Sequence, residues 1–172
     1  SSEVVKEIKV SGNKRVSSET IKVFSEIKLN TDLSTNQLND IVKKLYSTNF
    51  FSNVEVNVKK NILYISVTEN PVIQTLKFEG VKNKRIIKLL KEQVEMREKS
   101  SFIESKVKID EEKINNILKT NGYYFSKVDS SFTENDELNS ISLKININLG
   151  EKAKIKEISF IGDKKIKDKK LL

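Results

Sequence analysis

The chain has 172 residues, of which 37% are hydrophobic and 33% are charged, with one Pro and five Gly, so its composition is that of a globular protein. It contains no Cys and no His, which excludes disulfides, zinc fingers, imidazole metal sites and nucleophiles activated by a histidine base. No apolar run reaches the roughly 18 residues that span a bilayer, and the first residues do not resemble a signal peptide. The segment is therefore expected to be soluble. Its formal charge of +8 is concentrated at the C-terminal end, from residue 152 onward.

An internal repeat organises the chain. The stretch KEIKVSGNKRV at 6–16 recurs as QTLKFEGVKNKRI at 74–86 and as KEISFIGDKKI at 156–166. Each copy is an alternating strand that breaks at a glycine, where we expect a turn that needs positive φ or close backbone approach. These structural glycines are Gly12, Gly80 and Gly162. The repeat predicts one module at 1–70, a second at 71–150, and at 151–172 the first strand and the start of the first helix of a third.

In the first module, the strand is followed by helical spacing at Ile21, Phe24 and Ile27. Ser34 and Gln37 have the spacing of a capping box, which predicts the start of a second helix. The apolar stripe of that helix is Leu38, Ile41, Val42, Leu45 and Tyr46. Two alternating runs then predict a hairpin that turns at 59–61.

The second module has the same order of elements. Its first helix is predicted from Ile86, Leu90 and Val94, and its second helix ends at Asn121 and Gly122. The stripe of the second helix is Val107, Asp110, Ile114, Ile117 and Leu118. Two strands follow, with a hairpin turn predicted at 134–137.

Connectivity turns this β-α-α-β-β order into a fold. If strand three lies parallel to strand one and antiparallel to strand two, each module is an α+β unit, a three-stranded mixed sheet covered on one face by two antiparallel helices. Strand two is then a free edge. The short connections between modules predict hinges at Glu69, Asn70 and Pro71, and at Gly150 and Glu151.

These features together resemble POTRA domains, the periplasmic polypeptide-transport-associated modules that precede the barrel in the BamA family of outer-membrane assembly proteins. The segments that carry the resemblance are EIKVSGNKRV, LYSTNFFSNVEV, VTENPVIQTLKFEGVKNKRI and INLGEKAKIKEISFIGDKKI. The resemblance covers essentially the whole chain. The translocation and assembly module and two-partner secretion transporters use the same domain, so these branches remain alternatives.

The resemblance implies a non-catalytic periplasmic segment of an outer-membrane protein, with no cofactor and no metal. Its implied partners are unfolded outer-membrane β-barrel polypeptides, accessory lipoproteins of the assembly complex, and a C-terminal membrane barrel of the same parent chain.

The free strand two of each module is the candidate client-binding site. Its unpaired backbone groups can accept an extended polypeptide by β-augmentation. The residues are Asn53, Val54, Glu55, Val56, Asn57 and Val58 in the first module, and Lys127, Val128, Asp129, Ser130, Ser131 and Phe132 in the second. The alternative is that the apolar members, including Phe132, are core residues that leave only the backbone available. Proline at Asn57 or Asp129 is a test of edge pairing.

Other classes of function have less support. The acidic residues Glu134, Asp136 and Glu137 lack the spacing and the Gly of a calcium loop, which favours a polar turn. Nucleic-acid binding needs an aromatic platform on the exposed sheet face, and the outward positions are polar, so no nucleic-acid partner is predicted. An anionic lipid surface is a further candidate partner, for the cations near the C-terminus: Lys164, Lys165, Lys167, Lys169 and Lys170. The aromatic residues at 123–125 are expected to pack the helix pair over the sheet.

Overall fold

A computed structural model describes residues 3–151 of the chain. The predicted third module lies outside the described residues from 152 onward, and so do Gly162 and the Lys-rich end. The chain divides into two compact units. Among the described residues, the first unit contains 3–75 together with the later segments Arg97–Glu104 and Thr133–Ser142. Each repeat is α+β, as predicted.

The first repeat contains five strands and two helices. They are β1 (Glu3–Val5), β2 (Glu7–Ser11), α1 (Ser18–Ser25), β3 (Thr31–Leu33), α2 (Thr35–Tyr46), β4 (Phe51–Lys59) and β5 (Ile62–Glu69). The predicted capping box is confirmed: the Gln37 N–H donates to Ser34 Oγ, and the Ser34 N–H donates to Gln37 Oε1. Two N-terminal N–H groups that the helix itself leaves unpaired are satisfied in this way.

The sheet of the first repeat has the order β2-β5-β4. β2 runs parallel to β5, with Val10 opposite Ile65, and β4 runs antiparallel to β5, with Val56 opposite the same Ile65. The predicted topology of this sheet is therefore confirmed. Its inward side chains pack against the two helices. The fully buried residues of this core include Leu63 and Ile65 from β5, Ile21 from α1 and Leu45 from α2.

A short second sheet was not predicted. β1 pairs antiparallel with β3, and Val5 of β1 is fully buried in the core. Strands of three residues have too little sequence to show an alternating pattern, so periodicity does not reveal them.

The second repeat contains β6 (Val72–Glu79), α3 (Lys84–Gln93), α4 (Glu104–Thr120), β7 (Lys127–Asn135) and β8 (Ser140–Asn148). Its sheet has the order β6-β8-β7, so the second strand of the hairpin again lies at the centre. The hairpin turn predicted at 134–137 is wrong by two residues, because β7 continues to Asn135 and β8 begins at Ser140. The last residues of β7 are polar and exposed, which made a strand end resemble a turn.

Glycine is required where β2 and β6 end. Gly12 has φ +86°, and a Cβ placed there would lie 2.0 Å from the Val67 carbonyl oxygen of β5. Gly80 has φ +96°, and its Cβ would lie 1.8 Å from the Ile147 carbonyl oxygen of β8. Both the positive φ and the close approach of the neighbouring strand exclude a side chain at these positions.

Candidate functional site

The edge of the first sheet is formed by β4, which is paired with β5 on one side only within residues 3–151. A row of N–H and C=O groups on the other side of such a strand has no strand partner. The residues at this edge are those in which the sequence placed the candidate site.

Alternation along the strand decides which residues of β4 point their backbone N–H and C=O groups away from β5. The Val54 N–H donates to the Tyr46 hydroxyl over 3.0 Å, so it points away from β5. In an antiparallel pair, alternate residues bond to the neighbouring strand. Val56 and Val58 therefore also present their backbone groups to the free side, whereas Glu55 and Asn57 bond to β5.

The side chains of the same residues point elsewhere. Val54 is buried, Val56 and Val58 are half-buried against the core of the repeat, and Glu55 and Asn57 are exposed on the opposite face of the sheet. At this edge the backbone is available to a partner while the valine side chains are not. The arrangement can recognise an extended chain with little dependence on its sequence.

Part of the edge is already covered. The Tyr46 hydroxyl, at the end of α2, occupies the outward N–H of Val54. The register also shifts between Phe51 and Asn53, so β4 carries a bulge at Ser52 that disturbs regular pairing there. The open stretch of β4 therefore runs from the Val54 carbonyl to Val58.

The edge of the second sheet is formed by β7, and its side chains differ from those of β4. Val128 and Ser130 are half-buried, and Ser130 Oγ donates to the Glu111 carboxylate of α4. Phe132 is 38% exposed, so the prediction that it is a core residue is wrong. It falls in the second half of β7, where every side chain is exposed. On the other face, Asn146 Nδ2 donates to Asp129 Oδ1 and to Ser131 Oγ.

At the second edge, no tyrosine occupies the position that Tyr46 has in the first repeat. Tyr46 follows the buried Leu45, and the residue that follows the equivalent buried Leu118 is Lys119, which is exposed. Among the residues that the structure describes, no side chain hydrogen-bonds to the Val128 N–H. The contact by which Tyr46 occupies an outward N–H of β4 therefore has no counterpart at Val128 within residues 3–151.

The predicted hinge residues make local hydrogen bonds. The Glu69 carboxylate accepts from the backbone N–H groups of Lys14, Arg15 and Val16 at distances of 2.6 to 3.0 Å to Oε2, and Glu69 is only 8% exposed. The Asn70 N–H donates to the Phe50 carbonyl over 2.7 Å. Glu69 and Asn70 are thus tied to the first repeat.

Pro71 and Gly150, two further hinge residues, also make backbone hydrogen bonds. The Pro71 carbonyl accepts from the Phe102 N–H, and the Gly150 N–H donates to Asn148 Oδ1. Gly150 has φ +66°, and a Cβ there would lie 2.8 Å from the Phe125 carbonyl oxygen. Bending at these residues, and at the exposed Glu151, remains a prediction.

The aromatic residues that follow each second helix are only partly packed. Phe51 is buried and lies edge-on to Phe50, which stacks on Phe24 at a centroid distance of 6.0 Å. Tyr124 and Phe125, by contrast, are 52% and 66% exposed. Packing therefore accounts for the first cluster and not for these two rings.

Within residues 3–151, no group of three or more Asp or Glu side chains converges in a way that could hold a metal ion. None of the helices in that range is both long and apolar enough to cross a bilayer.

Known proteins resemble this chain in sequence and in fold. A family model described as "POTRA: Surface antigen variable number repeat" matches residues 3–70 and again 71–150. The outer membrane protein assembly factor BamA of Neorickettsia risticii (strain Illinois) is 35% identical over 78 residues, which are 45% of this chain and 11% of that protein. BamA of Neisseria meningitidis serogroup B (strain ATCC BAA-335 / MC58) is 26% identical over 175 residues, covering 98% of this chain and 21% of that protein.

A solved structure shares the fold. The N-terminal domain of Omp85 from Thermosynechococcus elongatus superposes with a TM-score of 0.56 at 15% identity, covering 84% of this chain and 63% of that one. The chain spans only 11% and 21% of the two BamA relatives, so it corresponds to a small part of such proteins.

Proposed function

The chain belongs to the POTRA family, as a periplasmic segment of an outer-membrane protein, and from this premise we propose that it is a non-catalytic scaffold that binds unfolded outer-membrane polypeptides by β-augmentation. The client strand adds to the free edge of β4, of β7, or of both. Both relatives described above are outer-membrane protein assembly factors, which favours this role over that of a secretion transporter.

One observation carries the proposal. The outward backbone groups of Val56 and Val58 lie on an edge whose valine side chains are turned into the core. Pairing through main-chain hydrogen bonds suits a scaffold that must bind many client sequences, because the bonds do not depend on client side chains. Strand β7, at the edge of the second sheet, offers a second candidate edge, with more exposed side chains than β4. In the parent protein, accessory lipoproteins of the assembly complex and a C-terminal barrel complete the machinery.

The test removes one outward donor without breaking the sheet. Val58→Pro deletes an N–H on the free side of β4, and proline is tolerated at the edge of a sheet. Asn57→Pro, which the sequence suggested, would instead break a backbone hydrogen bond to β5, because the backbone N–H of Asn57 points toward that strand. We expect Val58→Pro to weaken binding of an uncharged strand peptide from an outer-membrane β-barrel about 5-fold or more, measured by fluorescence anisotropy.

Val58→Ala is the matched control, because it shortens the same side chain and keeps the N–H. Circular dichroism establishes that both variants are folded. If folded Val58→Pro and Val58→Ala bind the peptide equally well, β4 is not the edge that pairs. The second edge is then examined by placing a photo-crosslinking residue at Asp129, next to the β7 backbone, with Lys9 on the opposite edge of the first sheet as the negative position.

A further inference from the structure

The first helix of the second repeat carries an unpaired basic face. Residues 82–91 contain five cations and no anion, namely Lys82, Lys84, Arg85, Lys88 and Lys91. The one anion of α3 is the exposed Glu92, which follows them and makes no ion pair with Lys88. All five cations are exposed, and none takes part in an ion pair within residues 3–151. We call this set the α3 basic face.

The geometry of α3 gathers three of these charges. At 3.6 residues per turn, Lys84, Lys88 and Lys91 fall within an arc of about 60° and extend over about 10 Å of the helix axis. The buried Ile86 and Leu90 lie on the opposite side, where they anchor the helix in its repeat. The lysines are therefore held as one row that faces away from the core.

At the N-terminal end of α3 this charge pattern works against the stability of the helix, whereas Lys91 in the last turn favours it. Lys84 and Arg85 stand in the first turn, which has no acidic residue, and there the helix dipole repels cations. Lys84 and Lys88 are also like charges four residues apart, a destabilising spacing. A surface that opposes local stability without a compensating contact is a candidate for function.

The fold itself does not require such a face. In the first repeat, the equivalent helix α1 has Glu19 in its first turn, and Lys22 pairs with that carboxylate over 3.4 Å. The same architecture is thus built with ordinary, paired charges. The α3 basic face belongs to this helix and is not a general feature of the repeat.

We propose that the α3 basic face docks on the anionic phospholipid surface of a membrane. A periplasmic segment of an outer-membrane protein lies beside such a surface, and near-surface lysines are attracted to anionic headgroups. An acidic protein is a poorer fit, because the centres of protein interfaces are enriched in aromatic residues and depleted in Lys, whereas this face is mainly Lys and has no aromatic residue. The face is separate in sequence from the Lys-rich segment at 164–170.

The test compares two triple variants of the complete 172-residue chain. Lys84→Gln, Lys88→Gln and Lys91→Gln together remove the row on α3. The control removes the same charge from three exposed lysines of the first repeat that make no ion pair within residues 3–151: Lys6→Gln, Lys9→Gln and Lys28→Gln. Binding is measured by co-sedimentation with vesicles of phosphatidylethanolamine and phosphatidylglycerol, and with vesicles of phosphatidylethanolamine alone.

We expect the α3 triple variant to lose on the order of 100-fold in affinity for the anionic vesicles at low salt, while the control loses far less. Its melting temperature should change little, since Lys84 and Lys88 oppose the helix whereas Lys91 lies in the last turn, where a cation is favourable. A thermal melt that matches that of the unsubstituted chain excludes unfolding as the cause of the loss. Equal affinities of the two variants would overturn the proposal, and so would binding to neutral vesicles as strong as to anionic ones. Loss of binding to polyglutamate with vesicle binding intact would identify an acidic protein as the partner instead.

Discussion

Tyr46 is the residue that limits the open edge of the first repeat. Its hydroxyl accepts the outward Val54 N–H over 3.0 Å and lies 3.4 Å from Asn53 Oδ1. An exposed strand edge is a site of unwanted pairing, and a side chain that occupies one of its donors reduces that hazard. The sequence pattern predicts Tyr46 in the apolar stripe of α2 but does not reveal this role, because the contact joins a helix end to a strand eight residues later.

We predict that Tyr46→Phe increases the affinity for a client strand about 2- to 10-fold, because the freed Val54 N–H adds one hydrogen bond to the pairing. The free energy of unfolding should fall by about 1 kcal/mol with the loss of the same bond. Anisotropy titration and urea unfolding measure the two effects.

Tyr64→Phe is the control for this substitution. Tyr64 is half-buried on β5, and its hydroxyl has no hydrogen-bond partner within residues 3–151. We expect its removal to change neither quantity appreciably. A Tyr46→Phe variant whose client affinity is unchanged would mean that pairing does not use the Val54 end of the edge.

Elements that sequence could predict are those with local causes. The α2 cap rests on side chains three residues apart, and the hairpin of β4 and β5 turns at Lys60 and Asn61, which both have positive φ. The β1 and β3 pair and the bulge at Ser52 depend on the register between segments distant in sequence. No local pattern encodes that register, so neither feature could be predicted from the sequence.

Asp110 shows the same limit at the level of one helix. Its position in the apolar stripe of α4 was predicted, but the reason for a carboxylate there was not. The side chain is fully buried, and it accepts the backbone N–H groups of Glu95 and Met96, which follow α3. The carboxylate thus joins the end of one helix to the middle of the next.

We predict that Asp110→Asn lowers the free energy of unfolding by about 1.5 to 3 kcal/mol, because an amide offers one acceptor oxygen where the carboxylate offers two and carries no charge. The exposed Asp40 of α2 makes no side-chain hydrogen bond within residues 3–151, so Asp40→Asn is the matched control and should change stability by less than about 0.5 kcal/mol. Urea unfolding that gives equal values for the two variants would show that the bonds of Asp110 contribute nothing net.

At the scale of the whole molecule, the two proposals assign different kinds of interaction to different surfaces of the chain. Pairing at β4 relies on backbone hydrogen bonds and buries little charge, whereas docking of the α3 basic face relies on charge alone. The net charge of +8 contributes to the second interaction and is nearly irrelevant to the first. Ionic strength therefore separates them, since the Debye length falls from about 10 Å at 0.1 M salt to about 3 Å at 1 M.

We predict that raising the salt concentration releases the chain from anionic vesicles while its affinity for an uncharged client strand changes less than about 2-fold. The variants should separate in the same way. Val58→Pro weakens strand binding and leaves vesicle binding intact, and the α3 triple variant does the opposite. Strand binding that falls with salt, or that is lost in the α3 triple variant, would mean that clients are held by charge, because a pairing made of backbone bonds has no reason to respond to lysines on a helix.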